Sequence, residues 1–149
     1  MKKKLFLFLA LLFSLNLTAQ TDNDSVFHVY AYNEEYKVYI DLNLYDSDVE
    51  VLGQEVFGKV PGYFGAIRDS RKWLITSARL DGKHTAHLDI VNDYGSEDLE
   101  ATLTYNEKDG SYILKQNSGS RLKIVVNRKW VKIPTTLIFV RHERMHDEW

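Results

Sequence analysis

From Val26 onward, apolar residues recur at every second position, and that period confines the chain to strands. In residues 36–44, Val38, Ile40, Leu42 and Leu44 alternate with Lys37, Asp41 and Asn43. Successive side chains of an extended chain point to opposite faces, so this segment carries one apolar and one polar face. Residues 86–90 and 99–105 repeat the pattern. Similar runs predict strands over 27–32, 73–80, 112–116, 122–126, 130–133 and 136–140, with a further one over 63–67.

The connections are short. Asp81-Gly82 and Asp109-Gly110 each separate two such runs. Asp-Gly suits a tight type I′ hairpin turn, because glycine takes positive φ without a Cβ clash. Asn117-Ser118-Gly119-Ser120 and Asn127-Arg128-Lys129 read as further hairpin loops. The two prolines, Pro61 and Pro134, fall at strand ends, where a missing N–H costs no ladder bond. Connections of this length force antiparallel neighbours. The expected fold is all-β: a single antiparallel meander of about eight to ten strands that closes into a small β-barrel and so shields its edges. A two-sheet β-sandwich fits the same pattern, but the near-continuous meander over 71–141 favours the barrel.

The first residues are a separate object. Lys2, Lys3 and Lys4 precede an apolar run over 5–17, and Thr18-Ala19-Gln20 comes next. The run is too short to span a bilayer. Residues 1–19 therefore read as a secretory signal peptide cut after Ala19, and they resemble the leaders of exported bacterial proteins. A periplasmic or extracellular location is expected. The remaining residues divide into a single β domain over 20–141 and a charged tail over 142–149. The chain has no cysteine, so in an oxidising compartment the domain must hold itself by its core alone. The formal net charge is −2, and without the three leader lysines the remainder carries −5. That balance argues against a nucleic-acid partner, which would require a net basic face. No second long apolar run is present, so no membrane span is expected once the leader is removed.

The tail contains one motif with known chemistry. His142-Glu143-Arg144-Met145-His146 resembles the H-E-x-x-H signature of the zincin metallopeptidases. The resemblance covers five residues. It implies a zinc-dependent hydrolase in which His142 and His146 bind the metal from one face of a helix and Glu143 polarises the bound water. The third protein ligand of that family lies downstream of the motif, and Asp147, Glu148 and Trp149 do not supply its pattern. Five of the last nine residues are charged and two more are histidine, which leaves little apolar face to dock a short helix. The expectation is therefore a solvated or loosely docked tail, with no metal and no cofactor.

Other chemistry is sparse. His84 and His87 are three apart on a strand-like run, a spacing that sends them to opposite faces. The acidic loops 46–50 and 92–98 lack the EF-hand spacing. No G-x-S-x-G and no strand-to-helix phosphate loop is present. The expected function is a non-catalytic binding or inhibitor-type domain whose partner is a protein, a glycan or a small molecule. The hydrolase is the alternative. Nine tyrosines and three tryptophans would suit such a surface. The candidate contact residues are Tyr63 and Phe64, framed by turn formers, and Trp73 and Trp130, each preceded by Arg-Lys.

Overall fold

The computed structural model describes residues 25–149, so the expected leader lies outside the described residues. The strands in chain order are β1 (His28–Asn33), β2 (Val38–Asn43), β3 (Val49–Glu50), β4 (Lys59–Val60), β5 (Gly62–Ala66), β6 (Asp69–Leu80), β7 (Thr85–Asn92), β8 (Asp98–Asn106), β9 (Ser111–Gly119), β10 (Lys123–Val126), β11 (Lys129–Lys132) and β12 (Thr136–Arg141). Eight of them close into an antiparallel barrel in the order β1, β12, β9, β8, β7, β6, β5, β2 and back to β1. The expected all-β barrel is thus the observed architecture, and the sandwich is not. No helix among the described residues is long and apolar enough to cross a membrane.

The two-residue period builds the interior. Ile40 and Leu42 of β2, Phe64 of β5, Trp73 and Ile75 of β6, Leu103 of β8 and Phe139 of β12 belong to one buried cluster. Small residues offset the large ones, with Ala31, Ala66, Ala86 and Ala101 in the same cluster. An eight-stranded barrel is just wide enough for side chains to fill it.

Three local expectations are corrected. At Asp81-Gly82 and Asp109-Gly110 only the glycine has positive φ, 73° and 71°, so neither is a type I′ turn. Both glycines sit in longer loops, 81–84 and 107–110. The two-residue turn with both φ positive is Asn127-Arg128, at 52° and 63°. Residues 117–119 are not a loop either. A register shift between Glu100 and Ala101 lets β9 stay paired with β8 as far as Gly119. There φ is 89°, and a Cβ would meet the Asp98 carbonyl oxygen at 2.5 Å. Finally, β10 and β11 pair only with each other, and β12 pairs with β9 directly. Their hairpin sends Leu122, Ile124 and Ile133 into the barrel core, and the Lys123 carbonyl accepts a 3.3 Å hydrogen bond from Trp73 Nε1 inside it.

The largest departure concerns β2. Its alternation predicts a solvated face, yet all six residues are buried, including Tyr39, Asp41 and Asn43. Part of the chain must cover the outside of the barrel there.

Candidate functional site

The cover is the C-terminal tail. After β12 it runs as an irregular strap across the outer faces of β1, β2 and β6. The His142 N–H donates to the Tyr30 carbonyl at 3.0 Å, and the Glu148 N–H donates to the Ile67 carbonyl at 2.7 Å. Between these anchors Arg144 makes a two-pronged pair with Asp41, at 2.9 and 3.1 Å. Asp147 Oδ2 accepts from the Tyr39 hydroxyl at 2.9 Å and from Trp149 Nε1 at 2.7 Å. Lys72 Nζ lies 3.5 Å from the same oxygen and 4.7 Å from the centre of the Trp149 ring. The tail is therefore docked through specific polar contacts, although all of its residues but Met145 and Asp147 stay exposed.

The wall under the strap is written by register. Tyr30 of β1 pairs with Asp41 of β2, Asp41 with Tyr63 of β5, and Tyr63 with Leu74 of β6. Residues directly opposite share a face, so these four form one row across four strands. In the next row Tyr39 faces Gly65. The tyrosine ring lies over that glycine, where a Cβ would sit 2.6 Å from its hydroxyl. Tyr39 stacks on Tyr30 at 5.1 Å and meets Tyr63 edge-on at 5.9 Å. A flap over residues 49–60, carrying β3, a 3₁₀ turn (Glu55–Phe57) and β4, flanks this wall. It is pinned by Gln54, which donates to Asp93 at 2.8 Å.

Strap, flap and wall border a half-open cavity of about 400 Å³. Tyr30, Tyr39, Tyr63 and Asp41 line it from the wall, Glu50 and Glu55 from the flap, and Arg144 and Asp147 from the strap. Burial raises all three phenols: Tyr30 to about 12, and Tyr39 and Tyr63 in the same direction. They therefore stay neutral at ordinary pH. Desolvation lowers the Lys72 ammonium, against the pull of Asp147, while hydrogen bonding to Asp41 raises the Arg144 guanidinium. The Tyr30 hydroxyl and Asp147 Oδ1 are shielded from solvent, and the Met145 backbone lies against the Tyr30 oxygen and partly offsets the effect of its burial.

The residues singled out from the sequence scatter. Tyr63 reaches this cavity. Tyr63 and Phe64 are not an exposed pair: both are buried, because β5 is covered on its two sides and sends Phe64 into the barrel and Tyr63 under the strap. Trp73 is in the core. Trp130 is 58% exposed on the end hairpin, with Arg71 and Lys123 each 5.1 Å from its ring. The two Arg-Lys-Trp segments thus meet through Arg71 and Trp130. His142, Glu143 and His146 sit exposed on a non-helical segment, and the His142 ring rests 5.2 Å from Tyr32. No helical turn brings the two imidazoles together. Among the described residues no group of three His, Cys, Asp or Glu side chains is arranged to hold a metal ion. The acidic loops are tied by asparagines: Asn43 bonds Asp46 and Asp48, and Asn92 bonds the backbone of Ser96 and Glu97.

Sequence reasoning missed Tyr30, Tyr39, Asp41, Lys72 and Asp147. A signal was present: three strands carry tyrosines at the positions the period assigns to solvent, and aromatic residues seldom occupy such positions uncovered. The fold and site define an eight-stranded antiparallel β-barrel with a strapped aromatic face. Comparison with known proteins finds no family model, no curated protein and no solved structure that matches this chain.

Proposed function

We infer that this chain is a non-catalytic binding module of an exported protein, and that it holds a small molecule between strap and wall. Export is supported by the leader-like residues 1–19. Among a protein, a glycan and a small molecule, the half-open cavity of about 400 Å³ favours the last, since pockets of this size suit small ligands. The observation that carries the reading is the lining itself, in which the Tyr30, Tyr39 and Tyr63 rings stand beside the Arg144–Asp41 pair. Aromatic walls with a few placed polar groups are what small-ligand sites present.

A mixed library of neutral, anionic and cationic fragments, titrated into the protein and followed by NMR, tests this. At least one chemical class should shift resonances of Tyr30, Tyr39 or Tyr63. A library that shifts none of them, or shifts only residues elsewhere, overturns the reading.

A further inference from the structure

We propose that the outer face of the β10–β11 hairpin docks on an anionic lipid bilayer. This surface is separate from the strapped cavity and does not rest on the small-molecule reading. Charge is unevenly placed along the chain. Between Ser111 and His142 there are seven Lys or Arg and no Asp or Glu, in a chain whose formal net charge is −2. The hairpin gathers most of them. Trp130 pairs with Val125 and Lys132 with Lys123, so these four side chains share the outer face. Arg71 of β6 reaches over the Trp130 ring, and Arg128 and Lys129 are exposed at the turn. Arg121, two residues before Lys123, is tied to the Ile133 carbonyl of the same hairpin at 2.6 Å.

Two carboxylates answer these six cations. Asp69 holds Arg71 at 3.0 Å, and Glu97 holds Lys123 at 2.9 Å. Arg121, Arg128, Lys129 and Lys132 form no ion pair among the described residues. Asp98 stands nearby, where its carbonyl accepts from the Ser120 N–H, and counting it still leaves a surplus of three cations. Such a face is drawn to an anionic surface. Trp130 is what selects a bilayer. It is 58% exposed, and its indole N–H bonds no protein group among the described residues. An amphipathic ring with a wet N–H, set among Lys and Arg, suits the headgroup layer of a membrane. A sugar or a nucleobase would stack on an open ring, and Arg71 and Lys123 already lie over this one, each 5.1 Å from its centre. A bilayer needs only a flat face, and two paired strands supply it.

The test is vesicle flotation at pH 7 with residues 20–149, so that the basic, apolar leader contributes nothing. Phosphatidylcholine vesicles are compared with vesicles in which about a third of the lipid is phosphatidylglycerol. At about 50 mM salt the protein should bind the anionic vesicles at least about tenfold more tightly, and the preference should vanish near about 500 mM. Each Lys or Arg near an anionic leaflet tightens binding by about fivefold. The double variant Lys129→Gln, Lys132→Gln, at two exposed sites, should therefore fold normally and bind about 25-fold more weakly. Trp130→Ala should bind several-fold more weakly with little change in melting temperature. Lys108→Gln, in the loop at the opposite end of the β8–β9 pair, should change nothing. Equal binding to neutral vesicles, or binding to neither kind, overturns the proposal. So does a loss in Lys108→Gln as large as in the double variant, which makes the attraction a property of the whole chain. Heparin or single-stranded DNA retained where anionic vesicles are not assigns the face to a soluble polyanion and rejects the bilayer.

Discussion

The β10–β11 hairpin and the strap over 142–149 flank β12 in sequence, and both lie outside the eight-stranded wall. They are held in opposite ways. The hairpin turns Ile124 inward, brings Leu122 and Ile133 with it, shows Trp130 and Lys132 to solvent, and ties the half-buried Lys123 to Glu97. The strap contributes the half-buried Met145 and is otherwise held by polar contacts: its backbone anchors on Tyr30 and Ile67, Arg144 on Asp41, and Asp147 between Tyr39 and Lys72. Apolar burial stabilises without direction, about 1.5–3 kcal/mol for a full aliphatic side chain. A buried ion pair holds a segment in one register but adds little net stability, since desolvation opposes the attraction. One piece therefore closes the barrel, and the other covers its tyrosine face.

The largest expected effect falls on the hairpin. Ile133 is fully buried, and Ile133→Ala should cost about 2–5 kcal/mol in denaturant unfolding. A loss below about 1 kcal/mol would mean that the hairpin is no part of the barrel core, and the contrast with the strap would collapse.

Removing the strap should cost less. In a chain ending at Arg141 the Asp41 and Lys72 side chains lose their partners but regain water, so the penalty of an orphaned buried charge does not apply. The expected loss is about 1–3 kcal/mol, from uncovering the tyrosine face. Alkaline titration gives a sharper readout. Burial lifts Tyr30 to about 12 from an ordinary value of 10.0. Because the folded value is the higher one, the stability linked to this phenol is intact below pH 10 and is lost as pH rises through about 12. Lys72 opposes this at lower pH: its folded value lies below 10.5, so its charge is disfavoured in the folded state until it deprotonates. In the truncated chain the phenols should ionise near pH 10, which ultraviolet absorbance would show as an earlier rise. A titration unchanged by truncation would mean that the wall, not the strap, keeps these groups dry.

The difference between the two regions also explains what the sequence disclosed. The barrel was legible because the inward residues of nearly every wall strand obey the two-residue period, and such a period admits few other folds. The hairpin was legible as two strands but not as a cap, since nothing in Ile124 or Trp130 says which strand pairs with β9. The site was hardly legible at all. Asp41 and Lys72 read as solvated charges because their partners lie at least 75 residues away along the chain, at Arg144 and Asp147. A long-range ion pair has no local pattern. Only the tyrosines on polar positions hinted at a cover, and the H-E-x-x-H letters drew attention to the covering segment for another reason. Its spacing has meaning on a helix, and the strap is not one.

The smallest effect concerns the hairpin's turn. Asn127 and Arg128 both take positive φ, at 52° and 63°. Asparagine tolerates that region, but a long side chain pays for it through its Cβ, by about 1–2 kcal/mol. Lys123 faces Lys132 across the hairpin, but its charge is taken up by Glu97 at 2.9 Å. Arg128→Gly removes the steric part, while its added freedom in the unfolded chain takes back about 0.4–1 kcal/mol. The net gain should be about 0.5 kcal/mol, roughly 1–3 °C in melting temperature. Tyrosine ionisation should not move, because the turn and the strap share no contact among the described residues. A variant that melts lower would mean that Arg128 makes a favourable contact outweighing its backbone strain. A shift in tyrosine titration would mean instead that the two regions are coupled through β12, and that the barrel end senses the strap.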